Sequence, residues 1–295
     1  VKLLSKPQGA EELRNLMTGQ ELLAAPGVYD GLSGRIAEAA GFPALYVSGG
    51  AIARSLGYPD IGLTTFTEMQ KSLEEIRAVT SLPLIVDADT GYGNVINVLR
   101  TVRGFETAGA AALHIEDQVD PKRCGHYEQK ELIRPRDMIN KIRAAMDARS
   151  NPATIIIART DARSVLGLNE AIDRANSYAQ AGADVLFIEA PRSRQEIERI
   201  ASEVKAPLLI NMFSGGKTPL IEKAELAALG YRIMIVPSDL QRAAVRGMQR
   251  AAEQIARHGH TSSMQRDMAS FAEREHVVGL QTVQGLERKF MQDTE

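Results

Sequence analysis

The stretch Leu84-Ile-Val-Asp-Ala-Asp89 is a short apolar run that ends abruptly in two acids. Its uninterrupted apolar centre predicts a β-strand covered on both faces, as in the parallel sheets of α/β proteins. Seven further runs of this kind recur along the chain, each followed by a segment with helical spacing. These runs are Glu21–Ala25, Ala44–Ser48, Ala112–Glu116, Thr154–Arg159, Val185–Glu189, Leu208–Met212 and Ile233–Pro237.

Eight strand–helix units predict an α/β fold, namely a (β/α)8 barrel of the TIM type. The helical segments often end near a glycine, as at Gly109 and Gly182. A doubly wound open sheet alternates in the same way and is the main competitor. The sequence lacks the signature of a nucleotide-binding open sheet, because no Gly-x-Gly-x-x-Gly turn follows the first predicted strand. Gly215-Gly-Lys-Thr218 also fails as a phosphate-binding loop, since Asn211 stands where the first glycine is required.

The length of 295 residues and the 44% of hydrophobic side chains suit one barrel with a substantial core. We expect residues 1–260 to form the barrel and residues 261–295 to form a C-terminal helical arm of the same domain. Lys and Arg (35) nearly balance Asp and Glu (37) along the whole length, which argues against binding nucleic acid or an anionic membrane. The apolar runs are too short to span a bilayer, and no signal-peptide pattern opens the sequence. We therefore expect a cytoplasmic protein with a small-molecule partner.

Acidic side chains follow two neighbouring predicted strands, at the end of a barrel where active sites lie. Asp87 and Asp89 end one run, and Glu116 ends the next. Their carboxylates are hard oxygen ligands that suit Mg²⁺, with Mn²⁺ as a substitute. The alternative is that each acid pairs with Arg159, Lys122 or a helix N-terminus.

The sole cysteine, Cys124, lies in Lys122-Arg-Cys-Gly-His126. Two cations and an imidazole beside it should favour the thiolate and allow proton exchange near neutral pH. A buried cysteine that acts as a small apolar residue is the alternative. The charged neighbours favour the reactive interpretation.

Several strand-end residues are candidates for binding a carboxylate. Ser48-Gly49-Gly50 offers backbone N–H groups without bulky side chains, although glycine there could simply form a turn. Arg159 and Asn211 are natural carboxylate binders, the guanidinium through its two-pronged geometry. Either could instead be a structural partner of another side chain.

At this point the sequence resembles the isocitrate lyase / phosphoenolpyruvate mutase superfamily over nearly its whole length, in particular the short members that cleave 2-methylisocitrate or 2,3-dimethylmalate. The most specific motif is Lys122-Arg-Cys-Gly-His126, which is similar to the catalytic loop of the lyase branch. The other motifs that carry the resemblance are Tyr46-Val-Ser-Gly-Gly50, Ser55-Leu-Gly-Tyr-Pro-Asp60, Val86-Asp-Ala-Asp-Thr-Gly-Tyr-Gly93, His114-Ile-Glu-Asp-Gln118, Ala158-Arg-Thr-Asp161 and the segment from Asn211 to Pro219.

The resemblance implies a Mg²⁺ site at Asp87 and Asp89 with Glu116 nearby, and Cys124 as the catalytic acid on a mobile gating loop that also carries Lys122 and His126. It implies that the substrate contacts are made by a larger set, namely Ser48, Gly49, Gly50, Asp60, Gly125, Arg159, Glu189, Asn211, Thr218 and Pro219. It further implies a homotetramer in which paired barrels exchange their C-terminal helices, which would explain the predicted arm.

The implied reaction is a retro-aldol or Claisen-like cleavage. A base removes the proton of a tertiary alcohol, the C2–C3 bond breaks to give pyruvate, and Cys124 protonates the departing carbanion, so that succinate or propionate is the second product. Mg²⁺ and Arg159 would stabilise the developing negative charge. Tyr46 is the candidate base by position, although a packing role with a satisfied hydroxyl is the alternative.

The segment Asn211-Met-Phe-Ser-Gly-Gly-Lys-Thr-Pro219 departs from typical methylisocitrate lyases, which carry Thr-Glu-Phe after the asparagine. The sequence of this segment is more similar to that of lyases of the dimethylmalate type, and 2-methylisocitrate remains an alternative substrate. Two alternative functions remain. The first is different chemistry on the same fold, either decarboxylation or hydrolysis of oxaloacetate or P–C chemistry on phosphonopyruvate or carboxyphosphonate. The second is a non-catalytic barrel used for binding or assembly. The intact Lys122–His126 motif argues against the former, and the retained acids and Cys124 argue against the latter.

Overall fold

Eight parallel strands close into a barrel in the computed structural model, which describes residues 9–19 and 21–291. Each strand pairs with the next one in the sequence, and the eighth pairs with the first. The prediction of a (β/α)8 barrel is therefore confirmed, and the open-sheet alternative is wrong. The strands are β1 (Leu23–Val28), β2 (Leu45–Val47), β3 (Leu84–Asp87), β4 (Ala112–Glu116), β5 (Ile155–Thr160), β6 (Val185–Ile188), β7 (Leu208–Asn211) and β8 (Tyr231–Val236).

Helices separate the strands and cover the outside of the barrel. They are α1 (Ala10–Thr18), α2 (Gly31–Ala39), α3 (Gly49–Ser55), α4 (Phe66–Arg77), α5 (Val95–Thr107), α6 (Pro135–Ala148), α7 (Ala162–Val165), α8 (Leu168–Gln180), α9 (Arg194–Glu203), α10 (Lys223–Leu229), α11 (Asp239–His258), α12 (Phe271–Val278) and α13 (Leu280–Met291). Local sequence fixes their ends. The Thr65 hydroxyl accepts from the Glu68 N–H while the Glu68 side chain accepts from the Thr65 N–H, a capping box that starts α4. Gly230, with φ of 97°, ends α10 in the left-handed region.

The core has two layers, one inside the barrel and one between the strands and the helices. The inner layer is filled by aliphatic side chains such as Ile85, Ile157 and Ile233. At the N-terminal end of the strands, α1 joins this layer through Ala10 and Leu13, which are buried. Truncating a fully buried leucine such as Leu13 to alanine costs about 2–5 kcal/mol of stability. Helix α1 thus plugs one end of the barrel and leaves the polar end as the place for a site.

The first strand lies later in the chain than its apolar run predicts. The run Glu21–Ala25 is the start of it, but β1 continues through Pro26 and Gly27 to Val28. At Gly27 an added Cβ would lie 2.0 Å from the Pro237 carbonyl oxygen, so only glycine lets β1 and the end of β8 approach this closely. The Pro-Gly pair therefore lies within the strand, although such pairs ordinarily indicate a turn.

Beyond α11 the chain forms a 3₁₀ turn at Ser262–Asp267 and then α12 and α13, which agrees with a helical arm. Helix α12 packs against α2 of the same barrel. Residues 1–8 of the predicted barrel and 292–295 of the predicted arm lie outside the described residues. Within the described residues, no helix combines the length and the apolar character that a membrane span requires.

Candidate active site

A cavity of about 220 Å³ opens at the carboxyl ends of the barrel strands. Most of the side chains that the sequence predicts for a site line it, although they come from distant parts of the chain. They are Tyr46, Ser48, Gly50, Asp60, Asp87, Lys122, Cys124, Gly125, His126, Arg159, Glu189 and Asn211. The barrel therefore gathers these residues at the end where such folds carry their active sites.

Asp87 is the last residue of β3 and is held by three donors. Its Oδ2 accepts from the Tyr46 hydroxyl and the Gly49 N–H, both at 3.2 Å, and its Oδ1 accepts from the Asp89 N–H at 3.1 Å. Burial opposes its ionisation, but the charges of His114, which is protonated in the acidic range where Asp87 titrates, and of Lys122 and Arg159 outweigh burial and lower the pKa of Asp87 to about 2. Asp87 is thus a fixed anion at neutral pH.

Asp89 follows in a left-handed conformation with φ of 46°, an uncommon backbone state for a residue with a side chain. Burial, with the neighbouring Asp87 adding to it, raises the pKa of Asp89 above its ordinary range. The backbone N–H of Glu116 donates to the Asp89 carbonyl at 2.9 Å, which ties the two acidic strand ends together. Holding Asp89 in this backbone conformation costs free energy, and it directs the carboxylate toward Lys122.

Lys122 is a buried cation between two acids. Its Nζ lies 2.6 Å from Asp60 Oδ1 and 2.8 Å from Asp89 Oδ1. Although burial alone would lower the pKa of Lys122, the attraction of Asp89 and Asp60 raises it well above its usual value. The pairing that the sequence offered as the alternative to metal binding is therefore present for Asp89.

Arg159, on β5, stands among three acids. Its Nε lies 2.9 Å from Asp161 Oδ2 and 3.2 Å from Glu116 Oε2, and its Nη1 lies 3.7 Å from Glu189 Oε2. Asp161 also accepts from Arg159 Nη2 at 3.2 Å, so this pair is two-pronged. Arg159 is consequently both a structural ion-pair partner and a lining residue of the cavity.

Cys124 faces the cavity and is half-buried. Its backbone N–H donates to the Asp60 carbonyl at 3.1 Å. Burial, followed by the charge of Asp60, raises the pKa of the thiol, and the opposing effect of Lys122 is smaller. The prediction that its neighbours favour the thiolate is therefore wrong. The adjacent imidazole does not help, because burial also lowers the pKa of His126.

The segment from Lys122 to Lys130 is anchored on both sides. On one side, Gln118 exchanges two hydrogen bonds with the Arg123 backbone, at 2.8 and 2.9 Å. On the other side, the His126 ring stands edge-to-face with Phe213 at 4.5 Å between centroids. Glu128 also forms an ion pair with Lys217 at 2.5 Å. The segment thus closes against the loop that follows β7.

Three glycines permit the close approach of the backbone to charged side chains. An added Cβ at Gly49 would lie 2.8 Å from Asp87 Oδ2, and one at Gly50 would lie 2.7 Å from Asp60 Oδ2. At Gly125 an added Cβ would lie 2.6 Å from Arg159 Nη2 and 2.7 Å from Glu189 Cγ. Side chains at these positions would collide with charged groups that are already fixed.

Besides its hydrogen bond to Asp87, Tyr46 contacts His114, to which the sequence analysis gave no role. The Tyr46 hydroxyl lies 2.7 Å from His114 Nε2, and the two rings stack at 5.8 Å. Burial lowers the pKa of His114 to about 4, so this imidazole is neutral at neutral pH. Burial also raises the pKa of Tyr46 well above its ordinary value, which keeps the phenol protonated.

Five predicted site residues do not line the cavity. Asp89 and Glu116 lie beneath it, paired with Lys122 and Arg159. The Gly49 N–H is already bonded to Asp87, so it is not available as a seat for a carboxylate. Thr218 is buried away from the cavity, and Pro219 follows it, because the chain turns at Gly215 and Gly216 and leaves the rim.

Eight lining residues were absent from the predicted site. Phe187 and Ile235 lie inside strands, and Phe213 follows β7. The others are Arg54, Pro237, Ser238, Gln241 and Arg242. Pro237 and Ser238 were recognisable as the end of an apolar run. Arg54, Gln241 and Arg242 project from helices, where a polar residue carries no signal that distinguishes a cavity from solvent.

Glu116 bears most directly on whether the acid cluster fits a divalent cation. Neither oxygen of Glu116 accepts a hydrogen bond in the described part of the chain, although both are buried and Oε2 has Arg159 Nε as an ion-pair partner at 3.2 Å. Burial also raises the pKa of Glu116 well above its ordinary value. Within residues 9–19 and 21–291, no three His, Cys, Asp or Glu side chains converge closely enough to enclose a metal. The residues therefore fit Mg²⁺ held by one or two carboxylates with water, as is usual for that ion, and not a protein cage.

With a closed barrel and this rim of acids, cations and one thiol, the chain has the features of one family of enzymes. The family model described as phosphoenolpyruvate phosphomutase matches residues 13–256. The chain belongs to this family, within the isocitrate lyase / phosphoenolpyruvate mutase superfamily that its motifs resemble.

Particular relatives are more specific. The chain is 48% identical over 247 residues to the 2-methylisocitrate lyase of Aeropyrum pernix, covering 84% of this chain and 80% of that one. It is 40% identical over 282 residues to the 2,3-dimethylmalate lyase of Eubacterium barkeri, covering 95% and 98%. An oxaloacetate acetylhydrolase solved with 3,3-difluorooxalacetate superimposes with a TM-score of 0.91 at 34% identity, covering 97% and 98%. The predictions of superfamily membership and of an enzyme of the carbon–carbon lyase class are confirmed.

Proposed function

We propose that this protein is a Mg²⁺-dependent lyase that breaks the C2–C3 bond of a 2-hydroxy-2-methyl di- or tricarboxylate. The substrate is of the 2-methylisocitrate or 2,3-dimethylmalate type, and the products are pyruvate with succinate or propionate. One observation carries the proposal: a protonated thiol, Cys124, faces the same small cavity as Arg159 and Asp87. Relatives named for both activities, at 48% and 40% identity, support it.

Arg159 and the rim of the cavity would hold the substrate. The guanidinium is fixed by Asp161 on one side, which leaves its remaining N–H groups to meet a carboxylate. Ser48, Gly50 and Asn211 lie on the same wall and offer polar groups for the same purpose. Because Arg159 is buried and pinned, it would orient the substrate with little loss of side-chain entropy.

The proton transfers follow from the protonation states of the side chains. Tyr46, as the proposed base, accepts the proton of the substrate hydroxyl in the same step in which its own phenolic proton moves to His114 Nε2, 2.7 Å away, because a phenol that is protonated at rest cannot act as a base alone. The electron pair of the broken O–H bond forms the pyruvate carbonyl at C2, and the C2–C3 pair moves onto C3 of the leaving carboxylate fragment. Cys124 then gives its thiol proton to C3. Its raised pKa supports this role, because the thiol holds a proton at neutral pH.

Asp87, Asp89 and Glu116 are the residues that would hold Mg²⁺, or Mn²⁺ in its place, one or two of them directly and the rest through water. When bound, the ion supplies positive charge that stabilises the alkoxide and carboxylate oxygens as negative charge develops. Lys122 and Arg159 already provide part of that charge in the described structure, since they pair with Asp89 and Glu116.

The walls of the cavity support a methylated substrate. Phe187, Phe213 and Ile235 give it apolar surface that an alkyl group would cover. Arg54 and Arg242 supply further cations for a second or third carboxylate. The sequence between Asn211 and Pro219 departs from typical methylisocitrate lyases. An activity assay on substrates with two and with three carboxylates therefore decides which of them the enzyme cleaves.

The test is an activity assay with Mg²⁺ on four substrates: pyruvate is measured with 2-methylisocitrate and 2,3-dimethylmalate, glyoxylate with isocitrate, and oxalate with oxaloacetate. We expect turnover of a methylated substrate that is lost in Cys124→Ser, since the hydroxyl is a far weaker acid than the thiol. Turnover of oxaloacetate alone, or activity that is indifferent to Cys124, would move the protein to the branch of the oxaloacetate acetylhydrolase.

We also propose that the barrel, residues 1–260, carries an arm, residues 261–295, that is exchanged between subunits of a homotetramer, so that the place which α12 takes on α2 of its own barrel in the single chain is taken on a neighbouring barrel in the assembly. The support is the exposed apolar surface of the last helices: Phe271 is 72% exposed and Phe290 is 68% exposed. Exposed patches of this kind mark interaction surfaces. Light scattering on the full chain and on a chain ending at residue 260 tests this: a full-length tetramer and a smaller truncated species are expected, and a full-length monomer would refute it.

A further inference from the structure

Lys130 is a buried cation at the far end of the segment that carries Cys124. Its side chain is 1% exposed, and that of its partner Asp161 is 0% exposed. A long charged side chain is almost never buried to this extent unless it is fully paired. Lys130 has no place in the reaction proposed above, so its burial needs a separate explanation.

The contacts of Lys130 join the loop to the barrel. Its Nζ donates to the Gly125 carbonyl at 2.5 Å and to Asp161 Oδ1 at 2.6 Å. Gly125 is the neighbour of Cys124, whereas Asp161 follows the last residue of β5. One ammonium group therefore bridges the backbone beside the thiol and a fixed anion of the barrel rim.

The same anion holds Arg159. Asp161 accepts from Arg159 Nε at 2.9 Å and from Nη2 at 3.2 Å, and its Oδ1 is shared between Arg159 and Lys130. Gly125 in turn lies so close to Arg159 that an added Cβ would be 2.6 Å from Nη2. The four residues form a closed ring of contacts, in which the position of the loop and that of the guanidinium depend on each other.

The ion pair between Glu128 and Lys217 is different in kind from that of Lys130. Glu128 and Lys217 also join the segment to another loop at 2.5 Å, but the Glu128 side chain is 77% exposed. An exposed pair of this kind contributes about 0–1 kcal/mol and is screened by salt. The buried Lys130 contacts are therefore the stronger attachment, and Lys217 provides a matched control.

We propose that Lys130 is a positioning residue that holds the segment from Lys122 to Lys130 closed over the cavity, through the Gly125 carbonyl, and couples this closure to Arg159 through Asp161. The kinetic part of the proposal rests on the proposed lyase function. The closure itself does not, because it is a property of the loop.

The experiment measures the rate at which iodoacetamide alkylates Cys124, which is the only cysteine of the chain. It compares the native protein with Lys130→Met, Lys130→Gln, Lys130→Arg and Lys217→Met, each checked by thermal unfolding. We expect Lys130→Met to raise the alkylation rate about tenfold or more, the factor that losing a hydrogen bond from a charged group gives. Lys217→Met should change it by less than about fivefold. Lys130→Arg, which keeps the charge and the donors, should restore most of the native protection.

In pyruvate release, Lys130→Met should lower kcat by about ten- to a hundredfold while KM changes less, because Arg159 keeps its own two hydrogen bonds to Asp161 whereas the loop beside the thiol loses its bond to Lys130. If Lys130→Met does not fold, Lys130→Gln carries the test, and its alkylation should be faster than that of Lys130→Arg. Equal alkylation in all folded variants would overturn the proposal. Absence of lyase activity in the native protein would remove the proposed function, while the alkylation series would still decide the closure.

Discussion

Gly125→Ala should displace the loop that carries Cys124 without unfolding the barrel. The backbone at Gly125 is not among the positive-φ glycines, so the effect comes from the added methyl group alone. That group would lie 2.6 Å from Arg159 Nη2 and within 2.8 Å of Glu189 Cγ and Cδ. Real carbon atoms do not approach this closely, and one of the three groups must move.

The size of the effect follows from which group moves. The end of an arginine side chain is ordinarily flexible, but Arg159 is held by two hydrogen bonds that it donates to Asp161 and by ion pairs with Glu116 and Glu189. Moving it breaks charged hydrogen bonds worth about 1.5–3 kcal/mol. Overpacking the loop costs a similar amount, about 1–3 kcal/mol. Either route lowers the population of the closed arrangement roughly five- to 150-fold, since 1.4 kcal/mol is about a factor of ten.

The assay is pyruvate release together with alkylation of Cys124. We expect kcat to fall in that range and alkylation to accelerate, while the unfolding temperature changes by only a few degrees. Gly34→Ala is the matched control, because its added Cβ would meet only Ile76 Cγ2 at an ordinary 3.5 Å. Native kcat and native alkylation in Gly125→Ala would refute the argument from close approach.

Three further predictions follow from the buried charges. Alkylation of Cys124 should rise with pH and reach half its maximum above about 8.5, because burial raises the pKa of the thiol and only the thiolate reacts; a midpoint near 7 would contradict the assignment of a protonated acid. Asp117→Asn should lower the free energy of unfolding by about 3 kcal/mol in denaturant titrations, because Arg174 at 3.0 Å and the Tyr178 hydroxyl at 2.9 Å would lose their buried anion; unchanged stability would show that the amide replaces it. Dialysis against EDTA should abolish pyruvate release, and Mg²⁺ should restore it in the native protein but not in Asp87→Asn; full activity after chelation would refute the metal assignment.

The positions of the strands could be predicted because buried parallel strands have continuous apolar centres, which are visible in the amino-acid sequence without knowledge of the tertiary contacts. Strand β1 was the exception, since Pro26-Gly27 resembles a turn, and only the contact of Gly27 with Pro237 explains it. The acidic strand ends were also predictable, because the ends of apolar runs in a barrel meet at one rim.

The electrostatic state of the site was not predictable from neighbours in the sequence. Lys122 is two residues from Cys124, yet it pairs with Asp60 and Asp89, which lie 62 and 33 positions away along the chain. Its charge is thereby neutralised, and burial decides the protonation of the thiol. Arg54 and Arg242 were missed for a related reason, because helices bring them to the cavity from outside the strand pattern.

The left-handed residues at the catalytic rim bear on how the protein could be engineered. Asp89 has φ of 46°, and Ala190, directly after Glu189, has φ of 57°. Such residues cost on the order of 1–3 kcal/mol each. Screening variants for heat resistance alone would therefore favour glycine at these positions. It would select a barrel with a higher unfolding temperature but a site that has lost the carboxylate of Asp89. The plugged end, where α1 closes the barrel, has no such conflict, and stabilising changes are better sought there.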